Sequence, residues 1–545
     1  MRDSDTQLDY VKRLTRISIA LSAEKNLDRL MEMIVDEARK LTNADGGSLY
    51  VVSDDETELR FAIIQNETLG TRIGGTGEPV TWKPVPLRRP DGTPNHAHVC
   101  AYAALTGRIV DIPDVYYAQG HDFEGMREFD VQTGYRSQSM LVVPLRNHEH
   151  EIIGVLQLLN AKDPATGDIT PFSVASREIT ASLASQAAVA LTNNRLIHDV
   201  EHLLESFIKA IATAIDEKSP YTGGHVRRVA ELTMAIAEKI DEAATGPYAK
   251  VHFTLDQMKE LQIAAWLHDL GKVTTPEYVV DKATKLATIY DRIEVVRLRF
   301  ELLKRQAEAE LLAKRLAEQG IRGVPPPIAN GQVSLLIGRD EVAASRPDAG
   351  QGAYQELVKT LDEEFAFLAR VNAGSEFMSD AEIERVRTIA KRRLVVDGEP
   401  RPLLSEEEVH NLTVRKGTLT DEERGIINKH AEVTHDMLSQ LPFPKKSKNV
   451  PAYASTHHEK LDGAGYPLGL KADQLPLQSR IIALADVFEA LTAKDRPYRA
   501  GLTLSEAVKT LQEMVEHNHL DRDLFELFIR EGIHRGYAAR ESVPD

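Results

Sequence analysis

The sequence predicts a multidomain chain that begins with an α+β domain built on an antiparallel sheet, continues through a long coiled-coil linker helix, and ends in an all-α bundle with a helical insertion. Three observations support this prediction. Four β-rich runs lie in the first third, a heptad pattern of apolar residues follows, and helical periodicity dominates beyond residue 223. Because 545 residues exceed what one hydrophobic core organises, roughly two to four domains are expected.

The first third combines helical and strand-like segments. Apolar residues recur at helical spacing up to about Thr42. The four β-rich runs that follow are residues 46–52, 58–64, 139–146 and 151–160. The last two flank the polar stretch 147–150, which is typical of a hairpin turn. Helices before and after such strands predict a small α+β domain.

The strand pair LVVPL and IIGVLQLLNAKD, followed by ITPFS and a long helix, resembles a GAF domain over roughly residues 20–195. The resemblance implies a sensory domain, assigned to residues 1–175, with a small-molecule ligand that the sequence does not identify. GAF domains that bind cyclic nucleotides carry a further motif, of which Asn160, Lys162 and Phe172 are present. The acidic pair of that motif is missing, which argues against a cyclic nucleotide as the ligand.

A heptad pattern predicts a coiled coil over residues 176–218, which would join two copies of the chain in a homodimer. One seam of the pattern is Leu183, Ala190, Ile197, Leu204 and Ile211. The second seam is Gln186, Asn193, Val200, Phe207 and Ala214, whose polar residues would fix the register. The alternative is an ordinary amphipathic helix that packs on a core, and periodicity alone leaves that alternative open.

Beyond Gly223 the pattern is helical. One long amphipathic helix is predicted over residues 282–319, with a face formed by Ile289, Ile293, Val296, Phe300 and Leu303. The stretch GVPPP then interrupts the pattern. Two capping boxes, Ser379 with Glu382 and Thr420 with Glu423, each predict a helix start. Residues 295–415 contain no histidine cluster or glycine-rich loop, so they are expected to form a structural insertion.

Five histidines and two aspartates in remote motifs form a candidate metal-ligand set. They are His225, His268, Asp269, His430, His457, His458 and Asp486. Ligands placed mainly on helices suit a site inside a helical bundle. Mixed imidazole and carboxylate ligation favours Fe, Mn, Zn or Ni over Ca or Mg. Each residue alone has a structural alternative, such as a solvated histidine, but burying Asp486 among the apolar residues of ALADVFEAL is costly unless it is paired or metal-bound.

These motifs resemble the HD-GYP domain, a branch of the HD phosphohydrolases, over about residues 200–540 without the insertion. The resemblance rests on TGGH, HDLGK, the intervening His430, HHEKLDGAGYP and ADVFEALT with DRPYR. It implies that residues 219–545 form a phosphodiesterase domain that hydrolyses cyclic di-GMP to pGpG or GMP with two divalent transition-metal ions, iron or manganese. The GAF domain is then expected to regulate this activity.

The resemblance also implies roles for individual residues. Asp269 would bridge the two ions, with His225, His268 and Asp486 completing one site and His430, His457 and His458 the other. Relatives with a third ion carry a glutamate at the position of Tyr221, so two ions are expected here. Asp216 and Glu217 lie further upstream and would reach the site only if the intervening loop folds back.

Substrate contacts are expected around this centre. Lys272, which with Asp269 forms the expected catalytic pair, is placed to hold a phosphate oxygen or assist the leaving group. Arg496 and Arg499 are candidates to hold a second phosphate. Gly465 and Tyr466 belong to the glycine-rich GYP loop, residues 463–467, which in the family also contacts partner proteins. The alternatives are a helix-capping role for Lys272, surface ion pairing for Arg499, and packing beneath the loop for Tyr466.

The net charge, the apolar runs and the cysteine count argue against several other classes of binding partner and cellular location. A net charge of -17 argues against binding to nucleic acid polymers or anionic membranes, and no apolar run reaches the roughly 18 to 20 residues of a membrane span. Cys100 is the only cysteine, which predicts a reducing, cytoplasmic environment. The stretch NHAHVC has metal-like spacing but too few ligands, and is interpreted as a loop. Two other functions remain open: a phosphohydrolase acting on another cyclic dinucleotide or nucleotide, and a non-catalytic cyclic-dinucleotide sensor.

Overall fold

A computed structural model describes residues 15–218, 223–320, 349–494, 501–541 and 543–545. The chain forms two compact units, Met1–Leu204 and Glu205–Asp545. Each unit has its own buried core. In the described part of the chain, no helix combines the length and hydrophobicity that a membrane-spanning segment requires.

The N-terminal unit is an antiparallel sheet with helices on both faces. Its helices are α1 (residues 15–23), α2 (Leu27–Thr42), α3 (Val99–Thr106), α4 (Glu124–Thr133) and the first part of α5 (Val174–Asp216). Its strands are β1 (Ala44–Val52), β2 (Glu58–Asn66), β3 (Thr71–Gly74), β4 (Val85–Pro86), β5 (Val110–Ile112), β6 (Met140–Arg146), β7 (Ile152–Lys162) and β8 (Ile169–Thr170). The strand order is β3-β2-β1-β7-β6-β5, with β4 paired to β2 and β8 paired to β7. All four β-rich runs of the sequence are strands.

Alternation along the strands explains the two cores of this unit. Leu49, Leu141 and Leu156 point to the face covered by α2 and α5, whereas Tyr50 and Val142 belong to a second cluster with α3. Successive residues of a strand face opposite sides of the sheet, so the sheet is apolar on both faces. The predicted hairpin turn between β6 and β7 is confirmed, because Asn147 N–H donates to the Glu151 carbonyl over 2.9 Å.

The three GAF-motif residues have structural partners. The Asn160 amide donates to the Tyr135 hydroxyl over 2.9 Å, and the Lys162 ammonium pairs with the buried carboxylate of Asp45. Phe172 is buried in the core between the sheet and α5. These contacts join the ends of strands to each other and explain the three residues without a ligand.

The second unit is mainly helical. Its helices are the end of α5, then α6 (His225–Asp241), α7 (Leu255–Leu267), α8 (Glu277–Val280), α9 (Ile293–Glu318), α10 (Ala349–Asn372), α11 (Asp380–Ala390), α12 (Glu406–Leu412), α13 (Asp421–Ser439), α14 (Val450–Ser455), α15 (Leu477–Thr492), α16 (Leu504–Glu516), α17 (Arg522–Arg530) and α18 (Ile533–Glu541). One core joins the end of α5 to α6, α7 and α13–α18. Both predicted capping boxes are present at the starts of α11 and α13.

The insertion has a separate core formed by α9–α12. It also contains a hairpin of β9 (Arg393–Val396) and β10 (Glu399–Pro402), which the all-helical expectation missed although the dipeptide Asp397-Gly398 is a strong turn signal. The long helix predicted over 282–319 is wrong at its start. Helix α9 begins at Ile293, and Ile289 is 97% exposed instead of lying on the apolar face.

Candidate metal centre

The structure brings all seven predicted ligands together inside the helical unit. Three sets of ligand atoms lie within 4.8 Å of one another: His225, His268 and Asp486; His268, Asp269 and His457; and His430, His457 and His458. The middle set shares members with both others. The three sets therefore form one continuous cluster with two ends.

Asp269 lies between the two ends of the cluster. Its Oδ2 atom is 3.4 Å from both His225 Nε2 and His268 Nε2, and its Oδ1 atom is 3.4 Å from His430 Nε2. At the first end, Asp486 Oδ1 is 3.4 Å from His225 Nε2. The two carboxylate oxygens of Asp269 thus face different groups of histidines.

Three of the imidazoles are oriented by the backbone of their own helices. His268 Nδ1 is 2.7 Å from the Ala265 carbonyl, His430 Nδ1 is 2.7 Å from that of Ile427, and His457 Nδ1 is 2.6 Å from that of Ala454. A carbonyl only accepts hydrogen bonds, so each Nδ1 carries the proton. In the neutral ring, Nε2 then carries no proton and has a free lone pair, which is the form that ligates metals.

Several acceptor atoms of this cluster have no hydrogen-bond donor among the described residues. His268 Nε2, His430 Nε2, His457 Nε2 and Asp269 Oδ1 are buried and accept no hydrogen bond from the described residues. Buried polar atoms are otherwise almost always satisfied. Four unsatisfied acceptors that converge on one point fit a bound cation, and the donor set of imidazole and carboxylate suits a transition metal.

His225 is oriented by a carboxylate that sequence reasoning missed. His225 Nδ1 donates to Glu489, which is fully buried and also accepts from the Arg228 guanidinium over 2.7 Å. Glu489 lies one helical turn after Asp486 in the apolar helix α15. The argument that singled out Asp486, a carboxylate that is costly to bury unpaired, applies equally to Glu489 and was the available signal.

The protonation states of His430, His457, His458 and Asp269 match those that metal binding needs. Burial lowers the pKa of His430, brings that of His458 to about 4, and holds the pKa of His457 well below its usual range. Burial favours protonation of Asp269, but Lys272 and the neighbouring histidines hold the pKa of its carboxyl well below the usual range. Burial also opposes the charge of His225, yet Glu489, Asp269 and Asp486 raise its pKa well above the usual range. A surplus of negative charge therefore surrounds His225.

Close backbone packing brings His430 to the HDLGK segment. The segment's 3-10 turn, Leu270–Thr274, lies against α13, and a Cβ atom on Gly271 would lie 2.0 Å from the His430 carbonyl oxygen. Gly271 N–H donates to the Thr434 hydroxyl over 2.8 Å, and that hydroxyl donates to the His268 carbonyl over 3.2 Å. Glycine is required here because any side chain would separate the two ligand-bearing segments.

Glu459, the third residue of HHE, holds residues 468–470, which directly follow the GYP loop. Its buried carboxylate accepts from the backbone N–H groups of Leu468, Gly469 and Leu470 over 2.6, 3.1 and 2.9 Å. A Cβ atom on Gly465 would lie 2.4 Å from Glu459 Cα, so the close approach at Gly465 is to the chain itself. Sequence reasoning did not assign a role to Glu459.

The remaining predicted substrate contacts are placed as follows. Lys272 Nζ is 2.6 Å from Asp269 Oδ2, with 29% of its side chain exposed at the edge of the cluster. The Tyr466 ring packs against that of His458, with ring centroids 4.8 Å apart. Arg496, Arg499 and Tyr221 lie outside the described residues.

Replacing Glu489 with glutamine should weaken metal binding. Glutamine keeps the size of the side chain but loses the charge that orients His225 and neutralises Arg228. Removing such an outer partner typically lowers metal affinity about 10- to 100-fold, and we expect that increase in the dissociation constant for Mn²⁺. Glu231→Gln is the matched control, because Glu231 pairs with a neighbouring arginine of α6, Arg227, at the surface. Equal affinities of the two variants would contradict the orienting role.

Comparison with known proteins agrees with this architecture. A family model described as GAF domain matches residues 26–191, and two models described as HD domain match residues 222–330 and 406–524. The stretch between the two HD matches lies within the predicted insertion. The candidate ligands fall within the two HD matches.

Three curated relatives resemble parts of the HD region. A 3'3'-cGAMP-specific phosphodiesterase 3 of Vibrio cholerae is 39% identical over 112 residues, which is 20% of this chain and 23% of the relative. A cyclic di-GMP phosphodiesterase of Pseudomonas aeruginosa is 36% identical over 116 residues, 21% of this chain and 27% of the relative. A cyclic di-GMP phosphodiesterase of Vibrio cholerae is 31% identical over 205 residues, 36% of this chain and 38% of the relative.

The chain thus spans between 23% and 38% of the length of these three relatives. The resemblance concerns the region that holds the histidine and aspartate cluster, and the GAF match concerns the sheet that precedes it. The chain carries a GAF domain followed by an HD domain whose relatives are cyclic-dinucleotide phosphodiesterases.

Proposed function

We propose that the chain is a metal-dependent phosphodiesterase that hydrolyses cyclic di-GMP to pGpG, GMP or both. The observation that carries this proposal is the position of Asp269, whose two oxygens lie 3.4 Å from histidines at opposite ends of the cluster. A carboxylate in this position suits a bridge between two cations. His225, His268 and Asp486 would hold one cation, and His430, His457 and His458 would hold the other.

Two divalent ions held by these residues would supply an activated water and positive charge for phosphodiester cleavage. The chain fixes their surroundings. With all five imidazoles in the neutral form that ligates metals, they and the two carboxylates cannot cancel the charge of two divalent cations, so the loaded centre would stay positive in a protein of net charge -17. This local charge explains how an acidic protein would accept an anionic cyclic dinucleotide.

Lys272 has a separate role in this proposal. Its ammonium group is 2.6 Å from Asp269 and partly exposed, so it lies at the side of the cluster that substrate can reach. A cation at that position can donate to a non-bridging phosphate oxygen, or give a proton to the departing oxygen. The Tyr466 ring beside His458 forms a wall of the same region.

The choice of cyclic dinucleotide needs a direct test, because the relatives are named for both cyclic di-GMP and 3'3'-cGAMP. Purified full-length protein loaded with Mn²⁺ or Fe²⁺ is incubated with each compound and with cyclic di-AMP, and products are separated by chromatography. Faster hydrolysis of cyclic di-GMP is the expected result. Faster hydrolysis of 3'3'-cGAMP would make that compound the substrate in place of cyclic di-GMP. Binding without hydrolysis of any compound would favour the sensor function.

Regulation by the GAF domain is part of the proposal. The sheet of the N-terminal unit lines a half-open pocket of about 1080 Å³, large enough for a small organic ligand. Aromatic side chains of Tyr50, Phe61 and Trp82 line it, together with the polar groups of Asn66 and Gln157. This lining suits a planar or amphipathic molecule, whose binding would alter the turnover of the HD domain.

The proposal also includes a homodimer in which two copies of the chain pair through α5. Between the stretches of α5 that enter the two cores, Ile197, Val200 and Phe207 are 62%, 64% and 62% exposed, and Leu204 is 42% exposed. These four residues alternate at spacings of three and four, which is the pattern of a coiled-coil seam. An apolar stripe of this kind is covered when a second copy of the same helix pairs with it.

Val200→Asp should therefore shift the protein from dimer to monomer. Two aspartates facing each other across the seam would be buried and unpaired, which is costly. Light scattering coupled to size-exclusion chromatography measures the mass of the particle. His202→Asp adds a carboxylate on the opposite side of the same helix turn and should leave the dimer intact. A monomeric unmodified protein would contradict the proposed pairing.

A further inference from the structure

Helix α5 ends at Asp216, and the residues at this end contact both ligand-bearing segments of the first metal position. Resting on the proposed function, we propose that Asp216 and Lys218, here called the clamp, are positioning residues that hold His225 and Asp269 in register. The juxtaposition behind this proposal lies entirely within the helical unit. Neither residue is among the seven candidate ligands.

Asp216 supplies the cap that helix α6 lacks. The N-cap residue of α6 is Gly224, which has φ 81° and no side chain to accept a hydrogen bond. The buried Asp216 carboxylate accepts instead from the N–H of Val226 over 3.2 Å. An acceptor side chain at a helix N-terminus stabilises the first turn, and the first residue of that turn is His225.

Lys218 holds the other segment. Its ammonium group donates to the carbonyl oxygens of Lys272, Val273 and Thr275 over 3.2, 2.5 and 2.7 Å. These carbonyls lie at the end of the 3-10 turn that begins directly after Asp269. A lysine that donates to the last carbonyls of a helical segment satisfies acceptors the segment cannot pair internally.

The clamp is attached to a helix that is anchored in the same core. Ile208, Ala212 and Ile215 of α5 are buried with residues of α6, α7 and α15. A displacement of α5 along or about its axis would therefore move Asp216 and Lys218 against two segments at once. His225 Nε2 and Asp269 Oδ2 are 3.4 Å apart, so a shift of one segment changes the geometry of the ligand pair directly.

The first measurement is hydrogen exchange of the metal-free full-length protein. Lys218→Met keeps the length of the side chain and removes its donors, and we expect exchange of peptides covering residues 270–276 to rise about tenfold. Asp216→Ala should do the same for peptides covering 223–232. Lys209→Met and Glu217→Ala, exposed positions at the same end of α5, are the matched controls. Unchanged exchange in both clamp variants would overturn the proposal.

The second measurement is Mn²⁺ affinity. Either clamp variant should raise the dissociation constant about tenfold or more, whereas Asp216→Asn, which keeps an oxygen acceptor for Val226, should stay within about threefold of the unmodified protein. An asparagine variant as impaired as the alanine variant would overturn the positioning role, because charge and not the cap would then matter. Absence of Mn²⁺ uptake by the unmodified protein would contradict the proposed function, while the exchange measurement would still decide the clamp.

Discussion

Asp269→Asn is expected to remove both metal ions and reduce phosphodiester hydrolysis by more than about 100-fold, beyond the upper end of the effect of an outer partner. Asparagine has the shape of aspartate but only one oxygen and no charge. Oδ1 and Oδ2 of Asp269 face different histidine groups, so one substitution weakens both positions. The Lys272 ammonium also loses its ion pair with the Asp269 carboxylate, which lies 2.6 Å away.

The number of ions lost distinguishes a bridging ligand from an ordinary one. Elemental analysis of the purified variants should give no bound ion for Asp269→Asn and one for His430→Gln, since His430 belongs only to the set with His457 and His458. His435→Gln is the control, because His435 lies on the same helix and is half exposed. Retention of one ion by the Asp269 variant would contradict bridging.

The proximity of the seven candidate ligands could be predicted from the sequence because motifs carry them. The seven residues lie in segments whose order and spacing resemble a known family, and the structure brings all seven side chains together. The groups that orient these side chains were harder to predict from the sequence. Three imidazoles are held by carbonyl groups three residues earlier, and every residue has a carbonyl, so no residue type marks these partners.

The misplaced start of helix α9 has a physical reason. Residues 282–292 show helical periodicity, but their polar groups find partners elsewhere in the chain. Lys285 is fully buried, and its ammonium donates to the carbonyls of Leu412 and Val414, while its N–H donates to Asn372. Burial lowers the pKa of Lys285 to about 8. A pattern method assigns such a lysine to the solvated face of a helix, because the partners are distant in sequence.

Gly271→Ala is expected to destabilise the helical unit and weaken metal binding together. The added Cβ would lie 2.0 Å from the His430 carbonyl oxygen and 2.8 Å from Thr434 N. These are backbone atoms of α13, so the helix itself must move away from the turn that follows Asp269. Overpacking of this kind typically costs about 1–3 kcal/mol and occasionally more.

Gly425→Ala on α13 is the matched control for the same change of one methyl group. Nothing lies within 4 Å of a Cβ atom at Gly425, and alanine is a better helix former than glycine. The free energy of unfolding of this variant should therefore rise by about 0.5–1 kcal/mol. Thermal unfolding of the metal-free proteins at one scan rate measures both effects, and Mn²⁺ titration measures binding. If packing against His430 sets the position of α13, Gly271→Ala lowers both the stability and the Mn²⁺ affinity. Gly425→Ala then raises the stability and leaves the Mn²⁺ affinity unchanged. Equal behaviour of the two variants would mean that the distance between the HDLGK turn and α13 does not control the centre.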